Sequence, residues 1–143
     1  WLNMNVKTFE EVRQRFLEIT FEERFDLIVA VANGGIIPAA MLNQRLNLDM
    51  QLLKLHLRDA DQKQLYDRPR LLEEIRFEVK GKKILLVEDR VKTGTTLNYA
   101  RQLLLGVGMP TIACIMKCVF VFHGGRIKEL FVRMMGLITL RTL

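Results

Sequence analysis

Several things are scarce in this chain of 143 residues, and each scarcity removes a class of explanation. Cys114 and Cys118 are its only cysteines. On one strand face they would stand about 13 Å apart by strand rise, too far for a disulfide. Two thiols without a staple suit a reducing compartment, and the expected location is the cytoplasm. His56 and His123 are the only histidines, and they show no metal-ligand spacing with the cysteines. No apolar run reaches the ~18 residues needed to cross a bilayer, so no membrane association is expected. No signal peptide is visible, because residues 1–16 carry charge and read as a helix. There is no internal repeat, low-complexity segment or linker, so one domain over 1–143 is expected.

What is present is ordinary for a globular protein. Half of the residues are hydrophobic and 27% are charged. The length is enough to bury a core without disulfides. The net charge is +6, which favours anionic partners such as phosphates, nucleotides or nucleic acid. From Gly124 onward four basic residues stand against Glu129, so part of the excess is local to the tail.

Thr8-Phe9-Glu10-Glu11 has the form of a capping box, and helical spacing then predicts a helix over about 9–19. The apolar run 25–32 ends at Asn33-Gly34-Gly35 and reads as a buried strand followed by a tight turn. A helix containing Pro38 in its first turn should run to about Arg45 and stop near Asn47. Residues 50–58 alternate, with Leu53, Leu55 and Leu57 on one face and Lys54, His56 and Arg58 on the other, which predicts a strand. Residues 59–70 read as a charged loop. Residues 71–79 are ambiguous, with a helical turn passing into extended chain as one reading. Lys83–Val87 is the strongest strand, and a helix should follow from about Thr95, with Leu97, Ala100, Leu103 and Leu104 as its apolar stripe and Gly106 and Gly108 at its end. Residues 111–117 form another buried strand. Strands alternating with helices predict an α/β fold with a mostly parallel sheet flanked by helices.

The stretch 84–96, Ile-Leu-Leu-Val-Glu-Asp-Arg-Val-Lys-Thr-Gly-Thr-Thr, carries the chemistry. A buried parallel strand delivers Glu88 and Asp89 to its carboxyl end, where open α/β sheets place ligands. Gly94 permits close backbone approach, Thr93, Thr95 and Thr96 bring hydroxyls, and N–H groups open the next helix. That combination makes a monophosphate cradle. Carboxylates just before it suit a sugar diol and a hydrated magnesium ion, so the implied ligand is a phosphosugar. No Gly-Lys-Ser/Thr follows a glycine-rich loop, which excludes a Walker A reading.

This stretch resembles the phosphoribosyl-diphosphate motif of type I phosphoribosyltransferases, whose core is Rossmann-like. The resemblance implies a glycosyltransferase (pentosyltransferase) of nucleotide salvage. It would move a 5-phosphoribosyl group from phosphoribosyl diphosphate to a nitrogenous base, with Mg2+ as cofactor and a homodimer as the default assembly. It implies that Glu88 and Asp89 are the catalytic acids, binding the ribose hydroxyls directly or through a magnesium ion held with or without bridging water. Thr93, Gly94, Thr95 and Thr96 would hold the 5-phosphate. Asn33-Gly34-Gly35 resembles the pyrophosphate loop, which in the family often contains a strained or cis peptide. Arg58, with Lys63, Arg68 and Arg70, would meet the pyrophosphate from a loop that closes over the reacting centre. Lys117 would contact the base, its alternative being a snorkelling side chain at a strand end.

The resemblance covers residues 25–117, and three features depart from it. Asn33 stands where family members often carry Arg or Lys. Lys92 stands where hypoxanthine and guanine enzymes usually have an aspartate that handles the purine proton; a charged lysine cannot accept one. That leaves orotate, adenine, another base, or no base. From about 119 the tail diverges, with no Trp, Tyr or Asp after position 122, where the family builds a hood over the base. One reading is that this tail is not a native ending. The alternatives to an enzyme are a regulator on the same fold that binds a sugar phosphate or nucleotide, with nucleic acid as a less favoured partner, and a degenerate, non-catalytic member.

Overall fold

The computed structural model describes residues 6–18, 21, 24–56, 63, 65–88, 94–115, 121–123 and 126–128. After the short strand β1 (Val6–Lys7) comes helix α1 (Phe9–Glu18). Its capping box forms as the sequence predicts: the Thr8 amide donates to Glu11 Oε2 at 2.6 Å, and the Glu11 amide to Thr8 Oγ1 at 3.2 Å. Two of the N–H groups left over at the helix start are thereby satisfied.

Strand β2 (Leu27–Ala32) is buried at every position. Helix α2 (Ile36–Leu46) follows and stops at Asn47, which takes the left-handed conformation (φ 50°). The Asn43 carboxamide then ties down the exit, donating to the Leu48 carbonyl and accepting from the Leu48 amide, both at 2.8 Å. Strand β3 is Asp49–His56 and β4 is Arg70–Leu71. Residues 72–82 form no helix, so the helical-turn reading of 71–75 gives way to a strand end and irregular chain. Ile75 and Phe77 lie half-buried against the sheet and Val79 is buried. Hydrophobic anchoring to the sheet thus overrides the local helical tendency of Leu71-Leu72-Glu73-Glu74.

Strand β5 (Lys83–Val87) leads toward helix α3 (Thr95–Gly108), and β6 is Thr111–Ile115. The helix passes through Gly106 instead of ending there, and Met109 is its left-handed cap (φ 51°). Five strands form one sheet in the order β4-β3-β2-β5-β6. All pairs are parallel except β3 with β4. This is the mostly parallel sheet that the alternation predicts. At the starts of β2 and β5, Asp26 both donates its amide to the Lys83 carbonyl and accepts the Lys83 amide on Oδ2, each at 2.8 Å.

Side chains of β2 and β5 alternate between two cores, as strand geometry requires. Ile28, Ala30, Leu85 and Val87 join Phe16, Ala39 and Leu42 on the α1–α2 face. Leu27, Val29, Val31, Ile84 and Leu86 join Leu53, Leu97, Ala100 and Leu104 on the α3 face. With both faces covered, β2 and residues 84–87 of β5 read as unbroken apolar runs. Beyond the expected elements, β7 (Val121–His123) and β8 (Arg126–Lys128) pair antiparallel, and β8 also pairs with β1. A second sheet, β1-β8-β7, thus joins the beginning of the chain to the divergent tail.

Candidate functional site

Because β2, β3, β5 and β6 run parallel, the segments that leave them share one edge of the sheet. β2 and β5 are neighbours there, with Ala30 opposite Val87. The chain leaves β2 through Asn33-Gly34-Gly35. The Ala32–Asn33 peptide is cis, one of the two forms that the resemblance implies for this loop. The turn is closed by the Gly35 amide donating to the Val31 carbonyl (2.8 Å) and the Ile36 amide to that of Asn33 (3.1 Å). Gly35 sits against the end of β5: a Cβ there would collide with the Val87 carbonyl oxygen and lie 2.7 Å from that of Val31. Only glycine lets the turn approach the two strands this closely.

Glu88 follows Val87 directly and is 8% exposed, the one buried charged side chain among the described residues. The chain re-enters the described residues at Gly94, whose φ of 82° favours glycine. Gly94 caps α3 and brings no side chain to the helix start, and the first turn of α3 contains no acid. The first N–H groups of a helix have no acceptor within the helix, and its dipole is positive there. An anion is the complement of that arrangement. Thr95 is exposed and Thr96 half-buried at the same point. Asp89, Thr93, Arg58 and Lys117 lie outside the described residues, as does Lys92.

Among the described residues, then, the structure gathers Asn33, Gly34, Gly35 and Glu88 at adjoining strand ends, with Gly94, Thr95 and Thr96 at the start of the helix that follows. No three His, Cys, Asp or Glu side chains among the described residues group as metal ligands. A single buried carboxylate still suits magnesium, which keeps much of its water and takes one or two protein carboxylates together with substrate phosphates.

Two features escaped sequence reasoning. The Asn98 Nδ2 lies 3.6 Å from where a Cβ on Gly94 would stand, and the four-residue spacing along a helix was the available signal. Tyr66, in the segment before β4, carries the Arg70 guanidinium over its ring at 4.0 Å from the centroid. His56 meets the same ring edge-on at 5.7 Å. No local pattern marks this group, because it depends on the pairing of His56 with Arg70 across β3 and β4.

Known proteins agree with this architecture. Over 80 residues, 56% of this chain and 49% of the relative, it is 28% identical to the xanthine-guanine phosphoribosyltransferase of Idiomarina loihiensis. Over 89 residues, 62% of this chain and 41% of the relative, it is 30% identical to the orotate phosphoribosyltransferase of Sulfurisphaera tokodaii. The chain spans about half the length, or less, of these two relatives. In fold it is similar to a hypoxanthine phosphoribosyltransferase of Staphylococcus aureus, with a TM-score of 0.60 at 15% identity over 80% of this chain and 66% of that one. The model of the phosphoribosyl transferase domain matches residues 5–134, a wider span than the motifs at 25–117, and the chain belongs to that family.

Proposed function

We propose that the protein binds phosphoribosyl diphosphate and transfers its 5-phosphoribosyl group to a nitrogenous base. The C1–oxygen bond to pyrophosphate breaks, a C1–nitrogen bond forms, and the base nitrogen loses its proton. The observation that carries this reading is the buried Glu88 carboxylate at the end of β5, against which the glycine turn after β2 is packed. An acid for the ribose and a glycine turn for the diphosphate thus adjoin at one edge.

In this reading Glu88 and Asp89 hold the ribose hydroxyls and a magnesium ion. Magnesium would neutralise charge on the diphosphate oxygens. Thr93, Gly94, Thr95 and Thr96 bind the 5-phosphate at the positive end of α3. Asn33, Gly34, Gly35 and Arg58 hold the diphosphate, and Lys117 faces the base. The protein's contribution is positioning and charge stabilisation of an oxocarbenium-like transition state. A homodimer in the cytoplasm is part of the same proposal.

The test is a pyrophosphate-release assay with magnesium over a panel of purines, pyrimidines and orotate. Release with one base class supports the reading and names the acceptor. Calorimetric binding of phosphoribosyl diphosphate with no release across the panel would instead make the chain a non-catalytic binder. Nucleic-acid binding with a steep salt slope would make it a regulator.

A further inference from the structure

Strand β3 pairs with β2 from Asp49 to Lys54. On its other side β4 covers only Leu55 and His56. One more bond follows, from the Leu72 amide to the Lys54 carbonyl at 2.9 Å. Residues 49–53 therefore stand at an open edge of the sheet. The Leu72 bond also fixes which groups point outward. The Lys54 carbonyl faces away from β2, and strand residues alternate, so the N–H and C=O groups of Met50 and Leu52 face away from β2 as well. Among the described residues no backbone group bonds to them on that side.

The chain that leaves β4 does not close over this edge. A cleft of about 600 Å³ starts at the amino ends of β2 and β3 and runs along β3 to Lys54, with residues 73–78 as its outer wall. It lies outside the proposed phosphosugar site. Exposed edges are usually blunted by lysine, proline or a bulge. Residues 49–53 contain neither lysine nor proline, and their register with β2 is unbroken. Leu52 is exposed there.

The charge of the cleft runs against that of the chain, which is +6 overall. Two ion pairs cancel within it, Lys54 with Glu73 at 2.6 Å and Arg76 with Glu74 at 3.7 Å. What remains is Asp49 and Glu78 against Lys82, an excess of acid on a basic protein. A second copy pairing edge to edge would set that excess against itself, and like charges across a strand pair destabilise it. A basic partner meets the opposite sign.

We propose that the outer edge of β3 accepts an extended cationic peptide, a lysine- or arginine-bearing segment of another protein, as an added strand. Its backbone pairs with Met50 and Leu52, and its basic side chains face Asp49 and Glu78. Main-chain hydrogen bonds supply the affinity in this mode of recognition, and alternate side chains supply the choice of partner. The proposal is independent of the phosphosugar reading.

The test uses the full chain and three dye-labelled peptides: Val-Arg-Val-Arg-Val, the same peptide N-methylated at every residue, and Val-Glu-Val-Glu-Val. Fluorescence anisotropy gives the affinities and NMR gives the site. The cationic peptide should saturate and shift the amides of Met50 and Leu52. The N-methylated form, which cannot donate to a strand, should bind roughly tenfold or more weakly. Leu52→Lys, which places a protecting charge on the edge, should weaken the cationic peptide to a similar degree. The acidic peptide should bind more weakly than the cationic one. No saturation by Val-Arg-Val-Arg-Val up to about 1 mM overturns the proposal. Equal affinity of the N-methylated or the acidic peptide overturns it as well. So does a dimer in analytical ultracentrifugation whose formation protects the Met50 and Leu52 amides, because a second copy would then occupy the edge.

Discussion

Gly35 lies so close beneath the carbonyl oxygen of Val87 that no side chain fits between them. This contact joins the turn after β2 to the end of β5, immediately before Glu88. Gly35→Ala must move backbone, not a flexible side chain. Overpacking of this kind costs about 1–3 kcal/mol. Urea unfolding should show a lower midpoint at unchanged slope, with weaker binding of phosphoribosyl diphosphate. An unchanged midpoint would mean that the turn can back away from β5 freely.

Gly94 poses a different constraint. Among the described residues only Asn98 Nδ2, at 3.6 Å, is near the place of a methyl group, but the φ is 82°. Gly94→Ala should therefore cost about 1–2 kcal/mol through the left-handed backbone alone. If the helix start binds a phosphate, the affinity for ribose 5-phosphate should fall as well. A variant with native stability and native affinity would show that the left-handed turn is immaterial.

Carboxylates at the end of β5 are predicted to matter for turnover more than for folding. Asp89→Asn and Glu88→Gln keep shape and remove charge. Each should abolish pyrophosphate release while leaving the thermal midpoint within a few degrees, since neither change opens a cavity. Full activity in either variant contradicts its assignment.

The α3 face of the sheet sets the stability of the platform. Leu104 is fully buried among Leu27, Val29 and Leu86 in one apolar cluster. Leu104→Ala should lower unfolding free energy by about 2–5 kcal/mol. Denaturant titration gives the value, and a loss below 1 kcal/mol would mean that α3 packs only loosely.

Much of this architecture is legible in the sequence because it is local. The run Ile84–Val87 is apolar at each position, as a strand covered on both faces must be, and the Thr8–Glu11 capping box marks the start of α1 to the residue. The glycines at 34, 35 and 94 announce tight backbone before any coordinate is known. What the sequence hides depends on distant pairing. β4 is two residues long and exists because His56 and Leu55 lie opposite it. β1 and β8 pair across more than a hundred residues, Val6 with Lys128, and segments of two and three residues have no period to read. The Tyr66–Arg70–His56 group is hidden for the same reason. Gly106 misled because a glycine that ends many helices is carried here inside one, at a modest cost that the packing of α3 outweighs.

The most direct measurement is an amide-resolved NMR titration of the chain with ribose 5-phosphate in magnesium buffer. The amides of Gly94, Thr95 and Thr96 and that of Glu88 should shift along one saturating curve with a single affinity. Saturation without movement of these amides, or no response at all, would mean that the start of α3 and the acid before it do not hold a phosphosugar.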